Sequence, residues 1–204
     1  YSSIPSSLPS SLQIIKTCEN FSKNKFNVTL LKPGTGNKKL SIKKYYGLKY
    51  LVNIKEFVSI KSFPQGLSFY IYSFYCLFFI LRNGTSITVT RNYFLCYLLV
   101  MFKKKVILEI HHDTNVEGRI TKLILNYSNF LNNDNLINIV AITKSVKNLI
   151  IKKYDVNSNK ITVLPSGSSI KIYNLPKISN KKRLCVGYFG SISPSKGINT
   201  LINL

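Results

Sequence analysis

Apolar and polar positions along the chain switch repeatedly between a helical and an extended period. Leu12, Ile15, Cys18 and Phe21 mark one face of a helix, and the apolar-rich run Phe26–Leu31 predicts a strand that Pro33-Gly34 halts. The lysine-rich stretch 38–63 is irregular, with strands predicted at Tyr45–Val52 and Glu56–Ser59. An apolar helix begins near Gln65. Ser86–Thr90 then reads as a buried strand, Tyr93–Phe102 as a helix and Val106–Ile110 as another strand. Ile120, Leu123, Ile124, Tyr127 and Leu131 fall on one helical stripe, the strongest amphipathic pattern in the chain. A strand at Ile137–Ile142 follows. Val146, Leu149, Ile150 and Tyr154 share a helix face, and Lys160–Leu164 is a strand closing at Pro165.

This alternation predicts an α/β fold, a Rossmann-like parallel sheet with helices on both faces. Residues 1–170 make up that domain and 171–182, polar and lysine-rich, a linker. Residues 183–204 open a second Rossmann-like unit: a strand at Leu184–Phe189, a loop, and a helix from Lys196 carrying Ile198, Leu201 and Ile202 inward. One strand and one helix cannot bury a core. With Tyr1 in place of an initiator Met and Leu204 inside a helical pattern, the sequence reads as a fragment of a longer protein.

Composition sharpens the picture in one respect. Of 204 residues, 29 are Lys or Arg and 7 are Asp or Glu, a net charge of +22, while 45% are hydrophobic, enough for a folded core. The excess is lysine; the arginines are Arg82, Arg91, Arg119 and Arg183. Base-reading proteins favour the arginine fork, and no basic arm is present, so no specific nucleic-acid partner is expected. Abundant Asn and Ile beside Lys fit an A+T-rich codon background. A non-catalytic basic module that binds nucleic acid or anionic membrane is the alternative reading of the charge.

Cys18, Cys76, Cys96 and Cys185 contain no Cys-x-x-Cys and lie mostly in apolar runs, which suits reduced core residues of a cytoplasmic protein. The runs Leu67–Leu81 and Tyr93–Phe102 fall short of the roughly 18–20 apolar residues of a spanning helix. Buried helices are expected there. Aromatic residues beside lysines also suit peripheral contact with an anionic membrane at its inner face.

In open parallel sheets the ligand lies beyond the carboxyl ends of the strands. Gly190-Ser191-Ile192-Ser193-Pro194-Ser195-Lys196-Gly197 occupies such a place: a glycine at a strand end, a serine-rich loop and a lysine opening a helix. Glycine for close approach, backbone N–H groups and a lysine make an anion site suited to a diphosphate. The spacing is neither Walker A nor Gly-x-Gly-x-x-Gly.

Val186–Ile202, with Gly190 followed by Lys196-Gly197, resembles the opening of the donor-binding domain of family 4 glycosyltransferases of the GT-B fold, usually strand, Gly-Arg-Leu, loop, Lys-Gly, helix. Val140–Leu149 with Lys160–Gly167 resembles that family's segment between domains, Lys105–His111 (KVILEIH) its strand ending in Glu-x-His, and Thr88–Arg91 its strand ending in Thr-Arg. The four matches occur in family order and span nearly the whole chain. The resemblance implies a GT-B amino-terminal domain and the start of the carboxy-terminal domain of a hexosyltransferase. In full length it would move a hexose from a nucleotide-sugar to a glycan or lipid-linked acceptor, with retention and with no metal or other cofactor.

Carried over by position, Gly190, Ser191, Lys196 and Gly197 would meet the donor diphosphate, Lys196 balancing the charge that grows as the sugar leaves. Ser191 stands where relatives more often have arginine, and Leu164–Ser169 lacks the Asn and Asp that commonly flank the glycine. His111 takes the active-site histidine position as a catalytic sugar contact, and Arg91 an acceptor-binding position or a structural ion pair. Glu109 reads as a buried hydrogen-bond partner. The family's Glu-x7-Glu pair would belong beyond Leu204 and its first strand before Tyr1, so the 204-residue chain is expected to be inactive by itself.

Overall fold

The computed structural model describes residues 4–34, 41–57, 65–167 and 198–202. It divides into two units, Tyr1–Gly167 and Ser168–Leu204. In chain order the first unit contains α1 (Pro9–Lys23), β1 (Thr29–Pro33), α2 (Ile42–Tyr46), β2 (Asn53–Phe57), α3 (Gln65–Asn83), β3 (Thr88–Thr90) and α4 (Tyr93–Met101). It continues with β4 (Val106–Ile110), α5 (Arg119–Tyr127), β5 (Leu136–Ala141), α6 (Lys144–Tyr154) and β6 (Ile161–Val163). The described part of the second unit is α7 (Ile198–Ile202), in which Ile202 is exposed and not turned inward as its pattern suggested.

The fold is α/β and Rossmann-like, with every strand pair among the described residues parallel. The strands form two sheets, ordered β1-β2 and β3-β4-β5-β6. Successive side chains of a strand point to opposite faces, and β1 shows what that does here. Leu30 packs with Ile15 of α1, Ile4 and Leu48, whereas Leu31 packs into the main core. Helices therefore cover both faces. α3 ties the two sheets together: the Tyr72 hydroxyl donates to the Leu31 carbonyl at 2.7 Å, while Cys76, Leu77 and Ile80 enter the core that Val106, Leu108 and Ile110 of β4 also fill.

Four sequence expectations need correction. Tyr45–Val52 is not a strand: Ser41 caps α2 by accepting the Lys44 N–H, and Gly47, at φ +60°, ends that helix in the left-handed conformation glycine takes most readily. The neighbouring strand starts earlier than expected, at Asn53, and includes Glu56 and Phe57; Val58 and Ser59 lie outside the described residues. α1 buries Ser11, Ile15 and Glu19 while Leu12 and Phe21 stay exposed. Glu19 turns inward because its carboxylate accepts the Lys49 N–H at 2.6 Å and pairs with Lys16 at 2.7 Å. In α5 the inward residues are Thr121 and Leu125, so Ile120, Leu123 and Tyr127 of the amphipathic stripe point outward.

α3 is half in the core and half exposed, with Leu67, Phe74, Tyr75 and Phe78 on the open side. α4 is the most enclosed helix: Tyr93, Phe94, Leu95, Cys96, Leu99 and Val100 are all buried. Asn92 starts it by accepting the Leu95 N–H at 3.0 Å and donates its amide to the Ser73 hydroxyl at 2.7 Å, fixing α4 against α3. Cys76 and Cys96 are buried and Cys18 is partly so; burial pushes the thiols of Cys18 and Cys76 up to about 11. No helix among the described residues is long and apolar enough to cross a membrane.

Candidate functional site

The site grows out of strand register. β3 and β4 run parallel with Thr90 beside Leu108, so the next residue of each, Arg91 and Glu109, are also neighbours. Along β4 the buried positions are Val106, Leu108 and Ile110. Glu109 therefore projects to the opposite face, and His111, two residues on, shares that face. Two short strand ends thus bring Arg91, Glu109 and His111 together.

Their geometry is closed. Arg91 Nε donates to Glu109 Oε2 and Arg91 Nη2 to Glu109 Oε1, both at 3.0 Å, the two-pronged arrangement that a guanidinium fork favours. His111 Nε2 lies 2.6 Å from Glu109 Oε1. An ionised carboxylate only accepts, so Nε2 carries the hydrogen of this contact and Nδ1 is the ring nitrogen turned away from Glu109. Burial works to raise the Glu109 carboxyl pKa, but the hydrogen bonds and charges of Arg91 and His111 outweigh it and hold the group below its ordinary value. Glu109 is thus an anion whose charge is already spent on its two neighbours.

A cavity of about 210 Å³ opens beside this cluster, lined by Ser10, Arg91, Tyr93, Glu109, Ile110, His111 and His112. Ser10 arrives from the first turn of α1. Tyr93 is buried and its hydroxyl meets no hydrogen-bond partner; burial, and after it the negative charge of Glu117, drive its pKa far up, which keeps the phenol neutral. His112 is exposed, with Nδ1 4.0 Å from Glu117, a carboxyl whose pKa burial raises.

The loop after β4 is held by α6. Asp113 caps a short 3-10 turn at Thr114–Val116, accepting the Asn115 N–H at 3.0 Å. The fully buried Thr114 hydroxyl takes hydrogen bonds from Tyr154 at 2.7 Å and Lys153 at 3.1 Å. α6 is itself started by Thr143, which accepts the Val146 N–H at 3.1 Å. His111 and His112 consequently sit on an anchored strand exit.

No protein-family model and no curated protein sequence matches the chain.

Of the residues singled out from the sequence, Arg91 and His111 meet in one cluster through Glu109. Gly190, Ser191, Lys196 and Gly197, and the linker 171–182, lie outside the described residues. Sequence reasoning missed Ser10, Tyr93 and His112 as cavity walls. Tyr93 opens an almost wholly apolar helix and Ser10 sits in a serine-rich start, so neither carries a local signal; the pairing of β3 with β4 does. Among the described residues no group of three or more His, Cys, Asp and Glu side chains is placed to hold a metal ion.

The cluster can bind a neutral, hydroxyl-rich group. His111 Nδ1 accepts a hydroxyl hydrogen, and the Arg91 guanidinium has N–H groups beyond the two that Glu109 takes.

Proposed function

We propose that this chain is the acceptor-side domain, with the beginning of the donor-side domain, of a family 4 GT-B glycosyltransferase that moves a hexose from a nucleotide-sugar to a glycan or lipid-linked acceptor. The observation that carries the reading is the Arg91–Glu109–His111 cluster: the Thr-Arg and Glu-x-His strand ends that resemble the family lie side by side and line one cavity. The strand order also supports it. A doubly wound sheet ordered 3-2-1-4-5-6 has its two arms on either side of a central first strand. β2-β1 and β3-β4-β5-β6 match such arms, and the family's first strand would lie between them.

In this reading His111 contacts the transferred sugar or the acceptor hydroxyl through Nδ1, and Glu109 fixes the ring's tautomer and angle. Arg91 holds Glu109 in its charged form and offers remaining donors to the acceptor. Gly190, Ser191 and Lys196-Gly197 meet the diphosphate, and Lys196 supplies the countercharge as the sugar departs. The chemistry is attack of the acceptor hydroxyl oxygen at the sugar's anomeric carbon as its bond to the diphosphate breaks, the hydroxyl proton passing to the departing diphosphate oxygen.

The test is to incubate the complete gene product with a panel of sugar nucleotides and measure release of nucleoside diphosphate. Release from one donor, accelerated by an acceptor glycan or lipid, is the expected result, with none from the 204-residue chain alone. No release from any donor would refute the assignment.

A further inference from the structure

We propose that the outer wall made by α3, α4 and α5 rests on an anionic lipid bilayer. α3 has two unlike faces. Tyr72, Cys76, Leu77 and Ile80 point into the core, while Leu67, Phe74, Tyr75 and Phe78 are 50, 52, 45 and 66% exposed. At i, i+7, i+8 and i+11 these four form a stripe running roughly 16 Å along the helix. It contains no charged residue.

The neighbouring helices extend this surface. The ring of Phe94 in α4 touches those of Tyr70 and Phe74 with centroids 4.7 and 5.7 Å apart, and Asn92 bonds Ser73, so the start of α4 packs against the first half of α3. α4 ends on Met101 and Phe102, both exposed. α5 packs on α4, and at its start a Cβ on Gly118 would lie 3.4 Å from the Tyr70 hydroxyl. Its outward residues are Ile120, Leu123 and Tyr127. Three residues of the strongest amphipathic stripe in the sequence are therefore exposed, while its Ile124 and Leu131 join the core.

Charge decides what would cover this wall. No Asp or Glu occurs between Glu56 and Glu109 or anywhere in α5, whereas Arg82, Lys103, Lys104, Lys105, Arg119 and Lys122 border the three helices. Lys103 and Lys105 are exposed directly after Met101 and Phe102. A second copy would set one cationic rim against another in a chain that already carries +22. Anionic headgroups neutralise the rim while the acyl boundary takes the aromatic and aliphatic side chains. Since no described helix can cross a bilayer, the wall lies on the surface. The inference is independent of sugar transfer and can fail without touching that reading.

The chain has no tryptophan, so Phe78→Trp gives a single reporter on the wall. Purified protein is titrated with phosphatidylcholine vesicles containing roughly one third phosphatidylglycerol, and with phosphatidylcholine alone. Expected are a blue-shifted emission quenched by brominated acyl chains, and binding at least about tenfold weaker without the anionic lipid or after Lys103→Glu with Lys105→Glu. Phe74→Asp in the same reporter should remove the blue shift while far-UV circular dichroism stays unchanged. Emission that does not shift with anionic vesicles, binding indifferent to charge reversal, or a shift that grows with protein concentration before vesicles are added would each overturn the proposal, the last pointing to a second copy.

Discussion

Glu109 Oε1 accepts from both Arg91 Nη2, at 3.0 Å, and His111 Nε2, at 2.6 Å, so one carboxylate oxygen joins the exits of two adjacent strands. Removing its charge while keeping its shape should disturb both neighbours. In Glu109→Gln the amide nitrogen is a donor facing donors. Arg91→Lys keeps a charge but offers no fork, and should recover only part of the loss. Thermal unfolding at neutral pH should rank the proteins wild type, Arg91→Lys, Glu109→Gln, with the last lowest.

The same carboxylate fixes a pH dependence. Its pKa in the folded chain lies below the ordinary value of 4.5. A depressed carboxyl contributes stability that is complete above its unfolded pKa and is lost as pH falls through the folded one. The difference in Tm between wild type and Glu109→Gln should be largest above about pH 5 and shrink steadily below about pH 4. A difference constant from neutral to strongly acidic pH would contradict the arrangement.

Asn92 starts α4 and ties it to α3 through Ser73. Asn92→Ala loses the helix cap and the inter-helix hydrogen bond, an expected cost of about 1–3 kcal/mol. Denaturant unfolding reads it directly. Asn92→Asp, which keeps the cap acceptor but loses the amide donor, should fall between the two.

The exit of β4 is held by Thr114. Thr114→Val preserves shape but strands the Tyr154 hydroxyl, with an expected loss of about 1–3 kcal/mol. If the loop positions His111, amide hydrogen exchange at 111–116 should accelerate more than at β5. Uniform acceleration would make Thr114 a general core residue instead.

Much of the architecture was legible in strand–helix alternation: β4 and α6 carry periods that their own burial satisfies, α4 is an apolar run that is buried, and β3 forms although its apolar Ile87 and Val89 are exposed and not buried as expected. The failures share a cause. Glu19 turned α1 by about one position because a polar contact with Lys49 outweighed the apolar stripe, and Ser41 and Gly47 set α2 in a stretch whose β-favouring residues suggested a strand. In α5 the apolar pattern was split, with Ile120, Leu123 and Tyr127 left open while Ile124 packs on the core. Arg91 and His111 were singled out by the family resemblance of their strand ends; that Glu109 joins them follows from the pairing of Thr90 with Leu108, which periodicity does not contain. The glycine and lysine positions 190–197 lie outside the described residues, so the donor half rests on sequence alone.

The most direct measurement of the central claim is sugar transfer by the complete gene product carrying His111→Ala, compared with wild type at matched Tm. The account predicts a fall in kcat of about a hundredfold or more, with donor KM little changed and a smaller fall for Glu109→Gln. Equal kcat in wild type and His111→Ala would contradict a role for this cluster in the reaction.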